Sequence, residues 1–178
     1  MTDKINAKLM TLFVMQHFNP RVNIVVPNVS WGLLGHEADV LVCTKQGYVT
    51  EIEIKVSKSD FLKDFEKPHG HYDKRITKYY FAVPEILEEF VKERLSDQWG
   101  LLVLKNSSTV NWKTGAETHG YKIMEVVKAK RNRSEGFSQS EMHDLTRLGC
   151  LRIAGLYREN YKLRKKLNLL SNEMLEWL

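Results

Sequence analysis

The 178-residue sequence predicts an α/β fold, a mixed β-sheet flanked by helices and followed by a C-terminal helical extension. Three observations carry that prediction. Two strand-like runs, 37–44 and 48–56, are separated by Lys45-Gln46-Gly47, a short connection with a glycine free to take positive φ, so they read as an antiparallel hairpin. A strand–helix–strand pattern over 76–104 requires a parallel crossover, which makes the sheet mixed. Ser138-x-x-Glu141 is a capping box at the head of a helical pattern that runs toward Leu178.

Taken in order, Ile5, Leu9, Leu12 and Phe13 recur at helical spacing, with Thr2 or Asp3 to cap the helix and Asn19-Pro20 to stop it. VNIVVP (22–27) is a β-rich run closed by its proline, and SWGLLGH reads as a loop. After the hairpin, Ser57-Lys58-Ser59-Asp60 offers caps for a helix whose apolar stripe is Phe61, Leu62 and Phe65. ITKYYFAVP (76–84) is a strand, and Pro84 opens EILEEFVKERL, which carries acid early and base late as the helix dipole favours. WGLLVL (99–104) is a buried strand. A hairpin is expected around Lys113-Thr114-Gly115, and YKIMEVVKAK (121–130) reads as an edge strand. RNRSEGFSQ is a linker, so the chain divides into an α/β domain over 1–130 and a linker with its helix over 131–178.

Composition removes several classes. Apolar residues make up 43% and charged residues 28%, as in globular chains, which argues against disorder. No apolar run is long enough to cross a bilayer, and Asp3, Lys4 and Lys8 interrupt the start in a way that a secretory signal does not. Cys43 and Cys150 lack metal-ligand spacing and fall in apolar patterns, so buried free thiols and a cytoplasmic location are expected. The net charge of +5 suits a nucleic-acid partner without requiring one, and the positive charge gathers in 67–78, 128–133 and 158–166.

Within VTEIEIKVSKSDF (49–61), strand alternation puts Glu51, Glu53 and Lys55 on one face and Ile52 and Ile54 on the other. Pairing about Gly47 brings Asp39, from the preceding strand, to the region of Glu53 to Lys55. One reading is a half-exposed strand with its charges in water. The other is a metal site: two converging carboxylates repel unless a cation lies between them, and hard oxygen ligands select Mg²⁺ or Mn²⁺.

Asp39 with Glu53-Ile54-Lys55 resembles the PD-(D/E)XK nuclease superfamily, whose fold is that of restriction endonucleases. More narrowly, EADVLV, VTEIEIKVSKSDFLKD and KYYFAVP resemble the MmcB-like DNA-repair branch, over roughly residues 3 to 104. The resemblance implies a restriction-endonuclease-like sheet and hydrolysis of DNA phosphodiester bonds with Mg²⁺ or Mn²⁺. The metal ligands would be Asp39, Glu53 and the Ile54 backbone carbonyl, with Lys55 orienting the attacking water or offsetting developing charge. Ala38 stands where the superfamily motif has proline, and only Asp3 offers an acid near the first helix, so one metal is expected, with Glu37 or Glu51 as candidates for holding a second.

Ser57, Lys58, Lys67, Lys74, Arg75 and Lys78 are candidate DNA contacts, against the reading that they cap or solvate helix faces. His36, His69 and His71 lack zinc-like spacing, and Tyr79, Tyr80 and Phe81 read as core. Finally, Ile153, Leu156, Asn160, Leu163, Leu167, Leu170, Met174 and Trp177 alternate three and four apart. Such a heptad seam packs either against the chain's own sheet or against a second copy as a coiled-coil homodimer. A nucleic-acid-binding or assembly module without turnover is the alternative function.

Overall fold

Helix α1 (Ala7–His17) begins where Asn6 accepts a hydrogen bond from the Leu9 amide at 3.0 Å, so the cap is Asn6, not Thr2 or Asp3. The structure, a computed structural model, describes residues 5–30, 32–64, 73–110 and 117–175, with the backbone alone at 109, 110, 118, 119 and 168–175. The predicted Phe65, Lys67, His69, His71, Trp177 and the 113–115 turn lie outside the described residues. Met10 and Val14 are the fully buried side chains of α1, while Leu12 is 49% exposed. The apolar stripe therefore sits one position round from the one the spacing suggests.

Strands β1 (Ile24–Val29), β2 (Ala38–Cys43), β3 (Val49–Ile54), β4 (Ile76–Pro84), β5 (Gly100–Val110) and β6 (Glu117–Val127) form one sheet in chain order. β1, β2 and β3 pair antiparallel, β3–β4 and β4–β5 are parallel, and β5–β6 is antiparallel. The predicted α/β class with a mixed sheet, flanking helices and a C-terminal helix is what the chain forms. The parallel steps are spanned by α2 (Lys58–Asp64) and by a 3₁₀ turn (Glu85–Leu87) with α3 (Glu88–Lys92). β1 passes through Pro27 to Val29, further than a strand closed by proline, because at a sheet edge a missing N–H costs no ladder bond on the open side.

Alternation divides the core. Val40, Val42, Ile52, Ile54, Tyr80, Ala82, Leu102 and Leu104 pack with Met10 and Val14 of α1 on one face. On the other, Phe81, Val83, Leu101 and Val103 pack with Phe61, Leu87 and Val91. A third cluster joins Val26, Leu41, Cys43, Val49 and Tyr79 to Phe137 and Leu145, so the segment after 130 shares the core of the sheet.

Helix α4 (Gln139–Leu175) starts at the expected capping box: the Glu141 amide donates to Ser138 Oγ at 3.3 Å and the Ser138 amide to Glu141 Oε2 at 2.8 Å. Just before it, the Phe137 amide donates to the Gly47 carbonyl at 2.8 Å. Gly47 has φ 83°, and a Cβ there would lie 2.5 Å from the Phe137 carbonyl oxygen, so both the turn and this contact require glycine. Farther along α4, Ile153, Leu156, Leu163 and Leu167 are each more than half exposed. Over this stretch the seam does not pack on the chain's own sheet.

Cys43 is buried and burial pushes its thiol up to about 11, whereas Cys150 is exposed on α4, contrary to expectation. Among the described residues no helix is long and apolar enough to cross a membrane.

Candidate active site

The charges of β3 are not in water. Glu51 is 0% exposed, Glu53 6% and Lys55 5%, which removes the half-exposed-strand reading. Burying ionised groups is costly unless each is paired and hydrogen-bonded, and their partners define the site.

Asp39 reaches across the hairpin, where its Oδ2 accepts the Ile54 amide at 2.8 Å. The β2–β3 register, Leu41 to Glu51 and Val40 to Ile52, continues to set Asp39 opposite Glu53, as strand parity predicted. Lys55 Nζ donates to Glu53 Oε2 at 3.2 Å and to Asp64 Oδ1 at 2.9 Å. Burial pulls the Lys55 ammonium toward deprotonation, but Glu53 and Asp64 outweigh it and hold the group above its ordinary value. The pairing with Glu53 and Asp64 therefore favours the ammonium form of Lys55.

Asp39, Glu53, Ile54 and Lys55 line one cleft of about 420 Å³ with Glu37, Asp60, Asn28, Ser30 and Arg152. Its charged lining is four carboxylates against two cations, an excess of two negative charges. Among the described residues no group of three or more His, Cys, Asp or Glu side chains is placed to hold a metal ion. The available donors are hard oxygens, two carboxylates and a backbone carbonyl, a set that suits Mg²⁺, which keeps several waters and takes one or two carboxylates.

No protein-family model matches the chain, and no curated protein matches it. Among solved structures it is similar to a protein of unknown function from Silicibacter pomeroyi. That likeness has a TM-score of 0.58 at 21% identity and covers 91% of this chain and 93% of the other. It is a likeness of fold.

Glu51 belongs elsewhere. His36 Nε2 donates to its two oxygens at 2.9 and 3.0 Å, and neither residue lines the cleft. Glu37 does line the cleft. The proposed DNA contacts also separate. Ser57 Oγ accepts the Asp60 amide at 3.2 Å as a cap, and Lys58 Nζ stands 4.9 Å from the Phe90 ring centre, both at the head of α2 and close in sequence to Lys55.

Lys74, Arg75 and Lys78 do not flank the site. The β3–β4 register sets Ile76 beside Val49 and Lys78 beside Thr50, about 17 Å along the strand from Lys55. Lys78 also has the parity of Tyr80 and Ala82, on the α1 face. Lys74 Nζ pairs with Glu135, and Arg75 donates to Asp73 (2.5 Å), Glu141 (2.6 Å) and the Leu33 carbonyl (2.8 Å). A parallel crossover carries the start of β4 back to the opposite end of the sheet from the exit of β3, which nearness in sequence conceals.

Three participants were missed. Asp64 had a legible signal, because it lies three residues after the buried Phe61 on the same helical face. Asp60 was read as a cap. Arg152 arrives from a helix whose docking place the sequence does not reveal.

Proposed function

We propose that the protein is a Mg²⁺- or Mn²⁺-dependent nuclease that hydrolyses DNA phosphodiester bonds, of the PD-(D/E)XK kind and closest to its MmcB-like branch, acting in the cytoplasm. The observation that carries this reading is the cleft lining. Its excess of two negative charges repels a phosphodiester and matches what one divalent cation neutralises, and its lining includes the Lys55 ammonium held by Glu53 and Asp64. Asp39, Glu53 and the Ile54 carbonyl would hold the cation. When bound, it supplies acidified water and charge stabilisation at the leaving oxygen.

The chain's own groups do the rest. Asp39 is oriented by the Ile54 amide, and Glu53 by the Lys55 ammonium, so neither carboxylate has to be ordered when substrate arrives. Lys55 donates to the attacking water or to a non-bridging phosphate oxygen as charge grows there. The attacking water gives up a proton to solvent as its oxygen forms the new bond to phosphorus and the bond to the leaving oxygen breaks, and the leaving oxygen takes up a proton from solvent. Asp64 acts through Lys55, holding the ammonium in place.

The exposed α4 seam supports a homodimer through Ile153 to Trp177, with Asn160 at an a position setting register and Glu159 facing Arg164 of the second copy. A twofold pair of sites would address both strands of a duplex.

The test is Mn²⁺-dependent cleavage of labelled single-stranded, duplex and flapped DNA by the parent, Asp39→Asn and Lys55→Met. Asp39→Asn should lose Mn²⁺ binding by calorimetry together with cleavage. Lys55→Met should lose at least about 100-fold in cleavage while keeping DNA affinity. A parent that binds DNA without metal and cleaves none of the panel would support the binding-module reading instead.

A further inference from the structure

Helix α4 is the last of the described elements, yet it forms part of the cleft wall. Leu145 is fully buried against the sheet, and Gly149, one turn on, lies so close to β1 that an added Cβ would stand 3.3 Å from Val26 Cγ2. Arg152, three residues further on the same helical face, lines the cleft with Asp39, Glu53 and Lys55. Its Nη2 donates to the Asn28 carbonyl. Asn28 has φ 51°, a left-handed conformation that asparagine tolerates better than most residues. The β1–β2 register steps from Pro27–Val40 to Val29–Ala38, which sets Asn28 opposite Asp39. Asn28, Asp39 and Glu53 thus form a row across three neighbouring strands, about 4.8 Å from one strand to the next, and Arg152 reaches its Asn28 end from α4.

Two features separate Arg152 from the other arginine described above. Arg75 is enclosed by two carboxylates and a carbonyl. Arg152 is exposed, and among the described residues it forms no ion pair, its partner being a neutral backbone oxygen. A guanidinium presents five donors in a fork that matches two phosphate oxygens, and releasing one carbonyl costs little against a charge-assisted pair.

We propose that Arg152 binds a phosphate of the DNA backbone beside the reacting one, so that the C-terminal helix is part of the substrate site. This rests on the nuclease reading for the identity of the ligand. The competing role is a strap that only ties α4 to β1, and the test must move something a strap would not.

The experiment uses the full chain and fluorescence anisotropy of labelled duplex and single-stranded DNA, with Ca²⁺ in place of Mn²⁺, across a salt series. Cleavage kinetics in Mn²⁺ are measured alongside. Arg152→Gln should weaken binding about tenfold and lower the slope of log affinity against log salt by about 1. It should also raise KM more than it lowers kcat. Arg152→Lys should restore the slope, because the charge returns, but only part of the affinity, because the fork does not. Arg152→Gln with parental affinity and slope overturns the proposal, whatever its melting temperature, and if that parent still cleaves, the nuclease reading stands. A parent that binds but does not cleave, with the slope lost in Arg152→Gln, keeps the phosphate site and removes the nuclease reading. A parent that neither binds nor cleaves overturns both.

Discussion

Removing the Lys55 charge tests the site without assuming any activity. Nζ lies 2.9 Å from Asp64 and 3.2 Å from Glu53, and the three side chains are 6%, 1% and 8% exposed. At an effective dielectric near 20, each attraction is about 5 kcal/mol before desolvation is subtracted. Lys55→Met keeps the stem and removes the ammonium that donates to both buried carboxylates. Breaking a buried pair in this way costs roughly 3–5 kcal/mol, and for a chain of this length that lowers Tm by roughly 6–20 °C. Asp64→Asn leaves a balanced Lys55–Glu53 pair and should cost less, about 1.5–3 kcal/mol for one charge-assisted hydrogen bond.

The double variant Lys55→Met/Asp64→Leu removes the repulsion and should recover much of the loss. Losing the ammonium favours proton uptake by these carboxyls in the folded state, so native Lys55→Met binds more protons than the native parent. The deficit should then shrink as pH falls from 8 toward about 5. Urea unfolding of the four proteins at both pH values is the assay. A Lys55→Met variant within about 1 kcal/mol of the parent at pH 8, or a double variant no more stable than that single one, would refute a carboxylate–ammonium–carboxylate triad.

Two further outcomes follow from other contacts. Hydrogen bonds from Arg75 hold Asp73 below its ordinary 3.8, and Arg75 with Ser138 holds Glu141 below its ordinary 4.5. Their contribution is complete above those unfolded values and is lost as pH falls through the lower folded ones; Asp73→Asn should be less stable at pH 7 yet lose less on acidification, as urea titrations at pH 7 and 3 would show. Sedimentation should find the full chain dimeric at tens of micromolar and a Leu156→Lys/Leu163→Lys variant monomeric and folded, and a monomeric parent would remove the coiled coil.

The hairpin and β4 were legible because local rules and tertiary needs agree there: Gly47 supplies the positive φ, and Ile76–Pro84 is bounded as the apolar run is bounded. Parity alone brought Asp39 to Glu53 and Lys55, because a one-residue slip in register would invert both strands. Burial was less legible. Leu12 and Leu62 fit apolar stripes but are 49% and 46% exposed, since a short helix on a flat sheet covers a narrower strip than its sequence offers. The destinations of long-range contacts were not legible. Arg152 meets the Asn28 carbonyl across a separation of 124 residues, and Glu141 meets Arg75 across 66. Helical periodicity says which side of α4 is apolar and is silent on which strand receives it.

The left-handed residue in β1 has a consequence for solubility as well as for the cleft. β1 is an end strand of the sheet, and an end strand with an unbroken row of amide and carbonyl groups invites another chain to extend it. Here Pro27 supplies no amide, Asn28 at φ 51° breaks the extended run, and the Asn28 carbonyl is taken by Arg152. Pro27, the turn at Asn28 and the guanidinium over its carbonyl each obstruct strand addition, and Asn28 and Arg152 also line the cleft. The irregularity that offers Arg152 its anchor also caps the sheet against aggregation through its β1 edge.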